Sequence, residues 1–270
     1  MQIAYPTEVT VQTRSPDTPA PAGESPRPAV YPWYDSVGRM RDFFDRAAGL
    51  LLFALTLPLT AAGWLAVKLT SPGPGLYTQT RVGLAGRHFR IYKLRTMYHN
   101  CEATMGGVKW STKGDPRVTP VGRILRKLHI DELPQLWNVV VGDMSLVGPR
   151  PERPELVAPL SKQIDGYTER LAVPPGLTGL AQIQLPADTD LDSVRAKLRH
   201  DSCYIARRSP WLDLRLLFGT GVYLLGFSYA GVRRIALLPD ANEWAAAPQT
   251  NTGTETQPGI ASRPVLSEAR

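Results

Sequence analysis

The stretch LHIDELPQLWNVVVGDMSLVGPRP, residues 128–151, decides how the rest of this chain is interpreted. Two adjacent carboxylates, Asp131 and Glu132, lie near its start, and a Gly-Pro-Arg-Pro turn that carries Arg150 ends it. Apolar residues between them recur at helical spacing, and Pro134 suits the first turn of a helix. The pattern predicts a helix with Asp131 at its N-cap, where a carboxylate accepts backbone N–H bonds near the positive end of the helix dipole.

Two interpretations of the acidic pair stay open on this pattern alone. Asp131 could simply cap the helix. Alternatively, its position lowers its pKa and prepares it as an anionic nucleophile towards phosphorus or as a Mg²⁺ ligand, because that ion is usually held by one or two carboxylates and a substrate diphosphate. Arg150, fixed between two prolines, is suited to bind phosphate oxygens with its planar guanidinium, although an ordinary exposed loop arginine is the alternative.

Basic residues precede the acidic pair. The 270-residue chain has a net charge of +7, and eleven Lys or Arg residues fall between positions 81 and 127 against two acidic ones. Alternating apolar and basic residues in FRIYKLRTM, residues 89–97, predict a strand with Lys93 and Arg95 on one face. Such a patch attracts nucleic acid, anionic lipid or a nucleotide diphosphate, and Lys93, Arg95 and Arg126 are candidate phosphate ligands. A solvated basic face is the simpler alternative.

A single apolar segment, AAGLLLFALTLPLTAAGWLAV, occupies residues 47–67. It carries no charge and matches the roughly 20 residues that a helix needs to cross a bilayer. Basic residues flank both ends, so charge does not decide its orientation. Pro58, near the middle, removes a backbone N–H and clashes with the preceding turn, so a kink or break is predicted there. A kinked transmembrane helix, a re-entrant helix–break–helix and a buried core helix all fit this pattern.

The two ends of the chain differ in composition from its middle. Residues 1–36 are rich in Pro, Thr, Ser and Ala without an apolar run, and the tail 236–270 is polar and without periodicity. Neither can bury enough apolar surface to offset the entropy of ordering, so both are predicted to be disordered, and no secretory signal is expected at the start. No helix-turn-helix or zinc pattern accompanies the basic residues, so no nucleic-acid partner is expected.

Five segments together resemble the bacterial sugar transferase family of monotopic phosphoglycosyl transferases, over about residues 40–222. They are KLTSPGPGLYTQTRVG (68–83), YKLRTM (92–97), DPRVTPVGR (115–123), DELPQLWNVVVGDMSLVGPRP (131–151) and PPGLTGLAQ (174–182). After Gln182 the family often continues with an Asn-Gly-Arg-like sequence, whereas this chain reads IQLP. The resemblance therefore assigns no sugar or base contacts to that region.

The resemblance implies a reaction and roles for the residues above. Family members transfer a phosphosugar from a UDP-sugar to a polyprenyl phosphate such as undecaprenyl phosphate, releasing UMP, as the initiating step of exopolysaccharide, capsule or O-antigen-type glycan synthesis. The implied mechanism has two steps, is assisted by Mg²⁺ and uses Asp131 as covalent nucleophile. Glu132 would help Asp131 to hold the metal or accept the proton of the polyprenyl phosphate in the second step. Arg126 and Arg150 would bind phosphate oxygens. The family's re-entrant helix would break at Pro58, so that both flanks and the active site face the cytosol at the inner membrane.

The predicted fold is α/β, a helix-dominated α+β domain with few short strands, in a monotopic membrane protein. The predicted divisions are a disordered extension (1–36), a membrane-embedded re-entrant helix (37–70), a cytosolic catalytic domain with interfacial helices (71–235) and a disordered tail (236–270). Expected partners are the UDP-sugar, the polyprenyl phosphate and membrane lipid, and a homodimer is compatible with the sequence. The alternative function is a non-enzymatic membrane-bound scaffold that binds anionic partners through the basic patch, which would need no carboxylate pair.

Overall fold

The computed structural model of the protein describes residues 37–101 and 114–241. Helices dominate this part of the chain, and the sheets are small, as predicted. The α-helices that it describes in full are α1 (Val37–Thr70), α2 (Pro120–Lys127), α3 (Leu136–Val141), α4 (Pro154–Gln163), α5 (Leu191–Ala206), α6 (Pro210–Leu224) and α7 (Tyr229–Ile235). Its strands are β1 (Leu76–Val82), β2 (His88–Leu94), β3 (Ser145–Val147) and β4 (Gly176–Thr178).

The strands form two separate pairs. Lys93 lies on a strand of the first pair, and Arg150 follows a strand of the second. β1 and β2 are antiparallel with Leu76 opposite Leu94 and Val82 opposite His88. This confirms a strand within the predicted segment, although the strand ends before Arg95. β3 and β4 are parallel, which brings the Gly-Pro-Arg-Pro turn against the later PPGLTG segment.

The main core lies between α3, β3, α5 and α6, and includes the fully buried Val139, Tyr204 and Leu216. It extends past the predicted end of the domain, because Leu238 and Ala241 are buried within it. The boundary at residue 235 was therefore placed too early: apolar residues spaced in a short loop bury without helical periodicity. The predicted disorder of residues 1–36 and 242–270 falls outside the described residues.

Helix α1 runs through Pro58 without an interruption, so the structure does not show the predicted division into two helices. Threonines on either side of the proline donate their hydroxyls to carbonyls of the turns before it: Thr56 Oγ1 donates to Leu52 O at 2.8 Å, and Thr60 Oγ1 to Thr56 O at 3.0 Å. Side-chain hydroxyls and neighbouring turns commonly re-satisfy carbonyls near a helix proline. Pro58 itself is exposed on the helix surface.

One side of α1 packs against the rest of the protein along most of the length of the helix. Glycines let the backbones approach closely: a Cβ on Gly49 would lie 2.9 Å from Val139 Cγ1, and one on Gly63 would lie 2.7 Å from Leu94 Cδ1. Between residues 47 and 67 the other side of α1 is exposed and apolar. Residues 40–70 include an 18-residue window with a mean hydropathy of 2.0, and the helix is long and apolar enough to cross a membrane. One side of α1 therefore packs against the protein, and the other side exposes leucines in place of polar residues.

Helix α6 also has two apolar faces. Leu212, Leu216 and Val222 are buried in the core, whereas Trp211 and Phe218 are exposed. The alternation of apolar and charged residues from Trp211, followed by an apolar run to Phe227, predicts either an interfacial helix or a core helix, and α6 has one face suited to each. Ser209 caps the helix by accepting a hydrogen bond from the Leu212 N–H at 3.2 Å.

Candidate active site

The two carboxylates lie on a short 3-10 helix, Ile130–Gln135, between α2 and α3. His129 precedes it in the left-handed region at φ 55°, which turns the chain sharply at the end of α2. The predicted N-cap position of Asp131 is wrong, since His129 holds that position and Asp131 is the second residue of the 3-10 helix. Pro134 is its fifth residue and directly precedes Gln135, the N-cap of α3, so the proline lies at the junction of the two helices.

Glu132 is held by two cations from distant parts of the chain. Lys93 Nζ on β2 lies 2.9 Å from Glu132 Oε1, and Arg150 Nη2 lies 2.6 Å from the same oxygen. Arg150 Nη1 also reaches Glu132 Oε2 at 3.4 Å. Burial opposes ionisation here, but the charges of Arg150 and Lys93 outweigh it and hold the pKa of Glu132 well below its ordinary value. Glu132 is therefore an anionic anchor and a weak base.

Asp131 has a different environment from its neighbour. Its carboxylate makes no hydrogen bond and no ion pair with any of the described residues, although the residue is only 8% exposed. Burial raises its pKa and the charge of Glu132 adds to this, while Lys93, Arg126 and His129 act in the opposite direction. The expected lowering of this pKa by a helix dipole is wrong, because desolvation outweighs the dipole of a six-residue 3-10 helix.

The turn that carries Arg150 is seated on the backbone of the PPGLTG segment. Gly148 N donates to Thr178 O at 2.9 Å, and Gly176 N donates to Pro149 O at 2.8 Å. A Cβ on Gly176 would lie only 2.0 Å from Gly148 N. Glycine at these positions allows the two backbones to touch, and this contact fixes the direction in which Arg150 leaves the turn. The turn-rich segment thus has a positioning role that spacing alone did not reveal.

A buried network of hydrogen bonds and one ion pair also holds this turn, and no sequence motif predicted it. Arg170 Nη2 donates to the carbonyl of Arg150 at 3.0 Å and lies 2.8 Å from Asp201 Oδ2, while Nη1 donates to Tyr167 OH at 2.9 Å. Burial raises the pKa of Asp201 to about 6, with Arg170 opposing the shift. No motif marks these residues, since they lie apart in the sequence and meet only through the fold.

Arg95 and Arg126 do not have the same surroundings as Lys93 and Arg150. Arg95 is buried, and its guanidinium donates to Ser71 O at 2.9 Å, to Ser71 Oγ at 2.8 Å and to the carbonyl of Pro72. It fastens the turn that leaves α1, so its assignment to the phosphate lining loses its basis. Arg126 Nε donates to Thr96 Oγ1 at 2.8 Å, and its charge acts on Asp131.

The basic patch contains both buried and exposed cations. Arg81 pairs with Glu152 at 3.5 Å, Arg117 pairs with Asp115 at 2.7 Å, and Lys93 and Arg95 are committed as described above. The other described basic residues of the patch include four that are exposed: Arg87, Arg90, Arg123 and Lys127. The cations nearest the acidic pair are therefore held by the fold, whereas exposed ones could still attract anions, as the scaffold alternative requires.

Most of the chain matches one known protein family. A sequence profile described as "Bacterial sugar transferase" matches residues 36–226, which include α1, the acidic pair, Lys93, Arg150 and the Arg170 network. The chain belongs to the bacterial sugar transferase family. This confirms the resemblance drawn from the sequence and makes the chain a member of a family of transferases.

Individual members of the bacterial sugar transferase family support this placement. The chain is 45% identical over 176 residues to the UDP-N-acetylgalactosamine-undecaprenyl-phosphate N-acetylgalactosaminephosphotransferase of Aeromonas hydrophila, a match over 65% of this chain and 41% of that protein. It is 45% identical over 207 residues to the UDP-glucose:undecaprenyl-phosphate glucose-1-phosphate transferase of Caulobacter vibrioides, over 76% of this chain and 74% of that protein. It is 40% identical over 190 residues to the Exopolysaccharide production protein PSS of Rhizobium leguminosarum bv. phaseoli, over 68% and 92%. The chain thus spans less than half of the Aeromonas relative and most of the other two.

Proposed function

We propose that this protein transfers a phosphosugar from a UDP-sugar to a polyprenyl phosphate such as undecaprenyl phosphate, with release of UMP, as the first step of exopolysaccharide, capsule or O-antigen-type glycan synthesis. The names of the Aeromonas and Caulobacter relatives support this donor and acceptor class. The observation that carries the proposal is the difference between the two carboxylates. Glu132 is bound by two cations, whereas Asp131 keeps its oxygens available beside those same cations.

The proposed reaction has two displacements at one phosphorus. In the first, a carboxylate oxygen of Asp131 attacks the β-phosphorus of the UDP-sugar, the bond from that phosphorus to the bridging oxygen breaks, and UMP leaves with the bond's electrons. In the second, a phosphate oxygen of the acceptor attacks the same phosphorus and the carboxylate of Asp131 is released. Carboxylates act in this way as nucleophiles in other enzymes that form acyl phosphates. The product is a polyprenyl diphosphate sugar.

Arg150 and Lys93 supply positive charge where the diphosphate must bind. Because Glu132 holds both cations within 3 Å of one oxygen, they lie beside Asp131 before the donor arrives. Preorganised cations stabilise negative charge that develops on the leaving phosphate and need no rearrangement at that moment. In this proposal Glu132 positions the cations. A role for it as a general base is disfavoured by its lowered pKa.

Mg²⁺ is part of the proposal through Asp131. The described residues hold no cluster of three or more metal-ligating side chains. Mg²⁺ nevertheless commonly uses one or two carboxylates and completes its coordination with phosphate oxygens and water, so the available oxygens of Asp131 suit it. Glu132, already neutralised by two cations, suits it less well. The ion would neutralise charge on the donor diphosphate when bound.

We also propose that α1 enters the inner membrane from the cytosolic side and returns there, a course that requires the helix, continuous in the structure, to bend at Pro58. Its first turns are held by Arg41, which donates to Val147 O at 3.2 Å and pairs with Asp213 at 2.9 Å. Its last turns pack through Val67 against Leu94 and Leu125. Both ends therefore contact the same catalytic domain. A straight crossing by a 34-residue helix of about 50 Å would carry one end away from that domain.

The test of this function is UMP release from a panel of UDP-sugars by purified full-length protein. Reactions would contain undecaprenyl phosphate or no acceptor, with and without Mg²⁺. We expect Mg²⁺-dependent turnover with one donor and, without acceptor, one equivalent of UMP together with a mass increase of the protein by one phosphosugar. Asp131→Asn should give neither, whereas Asp192→Asn, the same change at an 89% exposed side chain, should behave as wild type. Turnover by Asp131→Asn at near the wild-type rate would overturn the assignment of the nucleophile.

A further inference from the structure

Three aromatic rings connect the acidic 3-10 helix to the connection between α6 and α7. His129 lies edge-on to Tyr223, with ring centroids 5.9 Å apart and an interplanar angle of 60°. Tyr223 stacks on Tyr229, with ring centroids 5.7 Å apart and an interplanar angle of 15°. We call His129, Tyr223 and Tyr229 the aromatic step. His129 is two residues before Asp131, so the step begins next to the proposed nucleophile.

The surroundings of the aromatic step are apolar and exposed. Leu128, next to His129, is 57% exposed, and Leu225, two residues after Tyr223, is 79% exposed. Phe227, between the two tyrosines, is also exposed. Leucine and phenylalanine at such exposure are expected where a protein meets lipid or an apolar ligand, and single exposed residues elsewhere need no such explanation. Here they are grouped in two short segments that the ring contacts bring together.

We propose that the aromatic step binds the first isoprene units of the acceptor while the acceptor's phosphate approaches Asp131. This inference rests on the proposed function and adds a lipid-binding site to it. The acceptor needs a path along which an apolar chain can leave a polar centre, and the step is an apolar surface that starts at the acidic helix. The positive charges of Lys93 and Arg150 lie at Glu132, on β2 and on the Gly-Pro-Arg-Pro turn, where they suit the donor diphosphate.

A nucleobase is the other ligand that aromatic rings commonly bind, and the step is less suited to it. A buried base requires hydrogen-bond partners for its polar edge. The neighbouring residues of the α6–α7 connection, Leu224, Leu225 and Phe227, carry apolar side chains. An isoprenoid needs only apolar area, which ring faces and leucines provide at low cost in side-chain entropy.

The first experiment separates the two substrates kinetically. Tyr223→Leu and Tyr229→Leu keep an apolar side chain and remove the ring. We expect each to raise the KM for undecaprenyl phosphate by about tenfold, the effect of losing part of an apolar contact area. The KM for the UDP-sugar and the one-equivalent release of UMP without acceptor should not change. Tyr98→Leu, the same change at an exposed tyrosine outside the aromatic step, is the control and should change neither KM.

The second experiment does not depend on turnover. A prenyl phosphate with a photoreactive group in its first isoprene unit would be irradiated with the full-length protein in detergent. We expect the label on peptides that contain residues 128–129 or 223–229, with competition by undecaprenyl phosphate. A label confined to α1 would overturn the inference. So would a higher KM for the UDP-sugar with an unchanged acceptor KM, which would assign the step to the nucleobase.

Different results would overturn the proposed function and the inference about the aromatic step. If wild-type protein releases no UMP with any donor and acquires no phosphosugar, the proposed function is wrong and the inference falls with it. If wild type performs both steps but the tyrosine variants keep the wild-type acceptor KM, only the inference is wrong. A loss of the acceptor-independent UMP release in the variants would also overturn it, since the step would then act on the acidic helix itself.

Discussion

Asp131 and Glu132 are neighbours in sequence, yet the protein gives one of them two cations and the other none among the described residues. This difference assigns separate tasks to a pair that sequence alone treats as equivalent. Glu132 gathers Lys93 from β2 and Arg150 from a turn 18 residues downstream, and leaves the Asp131 oxygens for substrate.

Glu132→Gln should therefore impair binding of the donor and the rate together, without removing the nucleophile. A neutral amide cannot hold Lys93 and Arg150 against each other, so we expect kcat/KM for the UDP-sugar to fall by about two to three orders of magnitude, the usual effect of losing preorganised charge. The phosphosugar adduct on the protein should still form, slowly, in single-turnover mass measurements. Wild-type kcat/KM in this variant would remove the anchoring role.

Asp201 makes stability depend on pH. Its folded pKa of about 6 lies above the ordinary value of 3.8, so the folded state binds this proton more tightly. Its contribution is greatest below pH 3.8 and is lost as the pH rises through 6, by up to about 3 kcal/mol. We expect Asp201→Asn and wild type to have similar thermal midpoints in detergent at pH 4, and the variant to have the higher midpoint at pH 7.5. A lower midpoint for the variant at pH 7.5 would show that the pair with Arg170 outweighs burial.

The sequence located the acidic pair and Arg150 but could not assign their contacts. Pattern and turn chemistry mark Asp131 and the proline-held arginine, whereas the partner of each charge depends on which strand passes beside it. Arg95 illustrates the difference, because it lies two residues from Lys93 yet binds Ser71 and Pro72 after the strand has ended. Arg170 and Asp201 could not be found at all, since buried pairs distant in sequence leave no local signal.

At the level of elements, the parallel pair β3–β4 positions the turn that carries Arg150. The substitution Gly176→Ala tests this positioning role. The new Cβ would lie 2.0 Å from Gly148 N, which is a backbone atom and cannot move aside without shifting the turn. We expect a loss of about 2 kcal/mol or more in stability, seen as a lower thermal midpoint, and a lower kcat/KM for the UDP-sugar.

Gly221→Ala is the matched control for that change. Nothing lies within 4 Å of a Cβ at this position in α6, and alanine favours a helix over glycine by about 1 kcal/mol. The thermal midpoint should therefore stay the same or rise, with unchanged activity. If Gly176→Ala also left the midpoint and kcat/KM unchanged, close contact between the two backbones would not be what positions Arg150.

Helical and strand periodicity predicted the elements better than their ends. β2 lies inside the segment whose alternation predicted a strand, and a helix covers the apolar run, but Asp131 was placed at a cap that His129 occupies. A residue with positive φ other than glycine, such as His129, carries no clear signature in sequence. The 3-10 helix likewise follows from the tight connection between α2 and α3, which is a property of packing.

For the whole molecule, composition predicted a membrane segment but left its course open, and the packing of α1 now favours one answer. Arg41 near one end and Val67 near the other both contact the catalytic domain. Those contacts join residues far apart in sequence, so no window of the chain could have revealed them. In the proposed arrangement, a helix that keeps both contacts returns to the side of the bilayer from which it entered.

This arrangement predicts the labelling of two cysteines placed at the ends of α1. In a background of Cys101→Ser and Cys203→Ala, Met40→Cys and Leu69→Cys replace side chains that are 56% and 77% exposed. We expect an impermeant maleimide to label both in inverted membrane vesicles and neither in intact spheroplasts. Glu155→Cys, on an exposed part of the catalytic domain, gives the pattern of a cytosolic position. Labelling of either α1 end from outside the spheroplast would mean that the helix crosses the bilayer, and the contacts at one end of α1 would then have to break in the membrane.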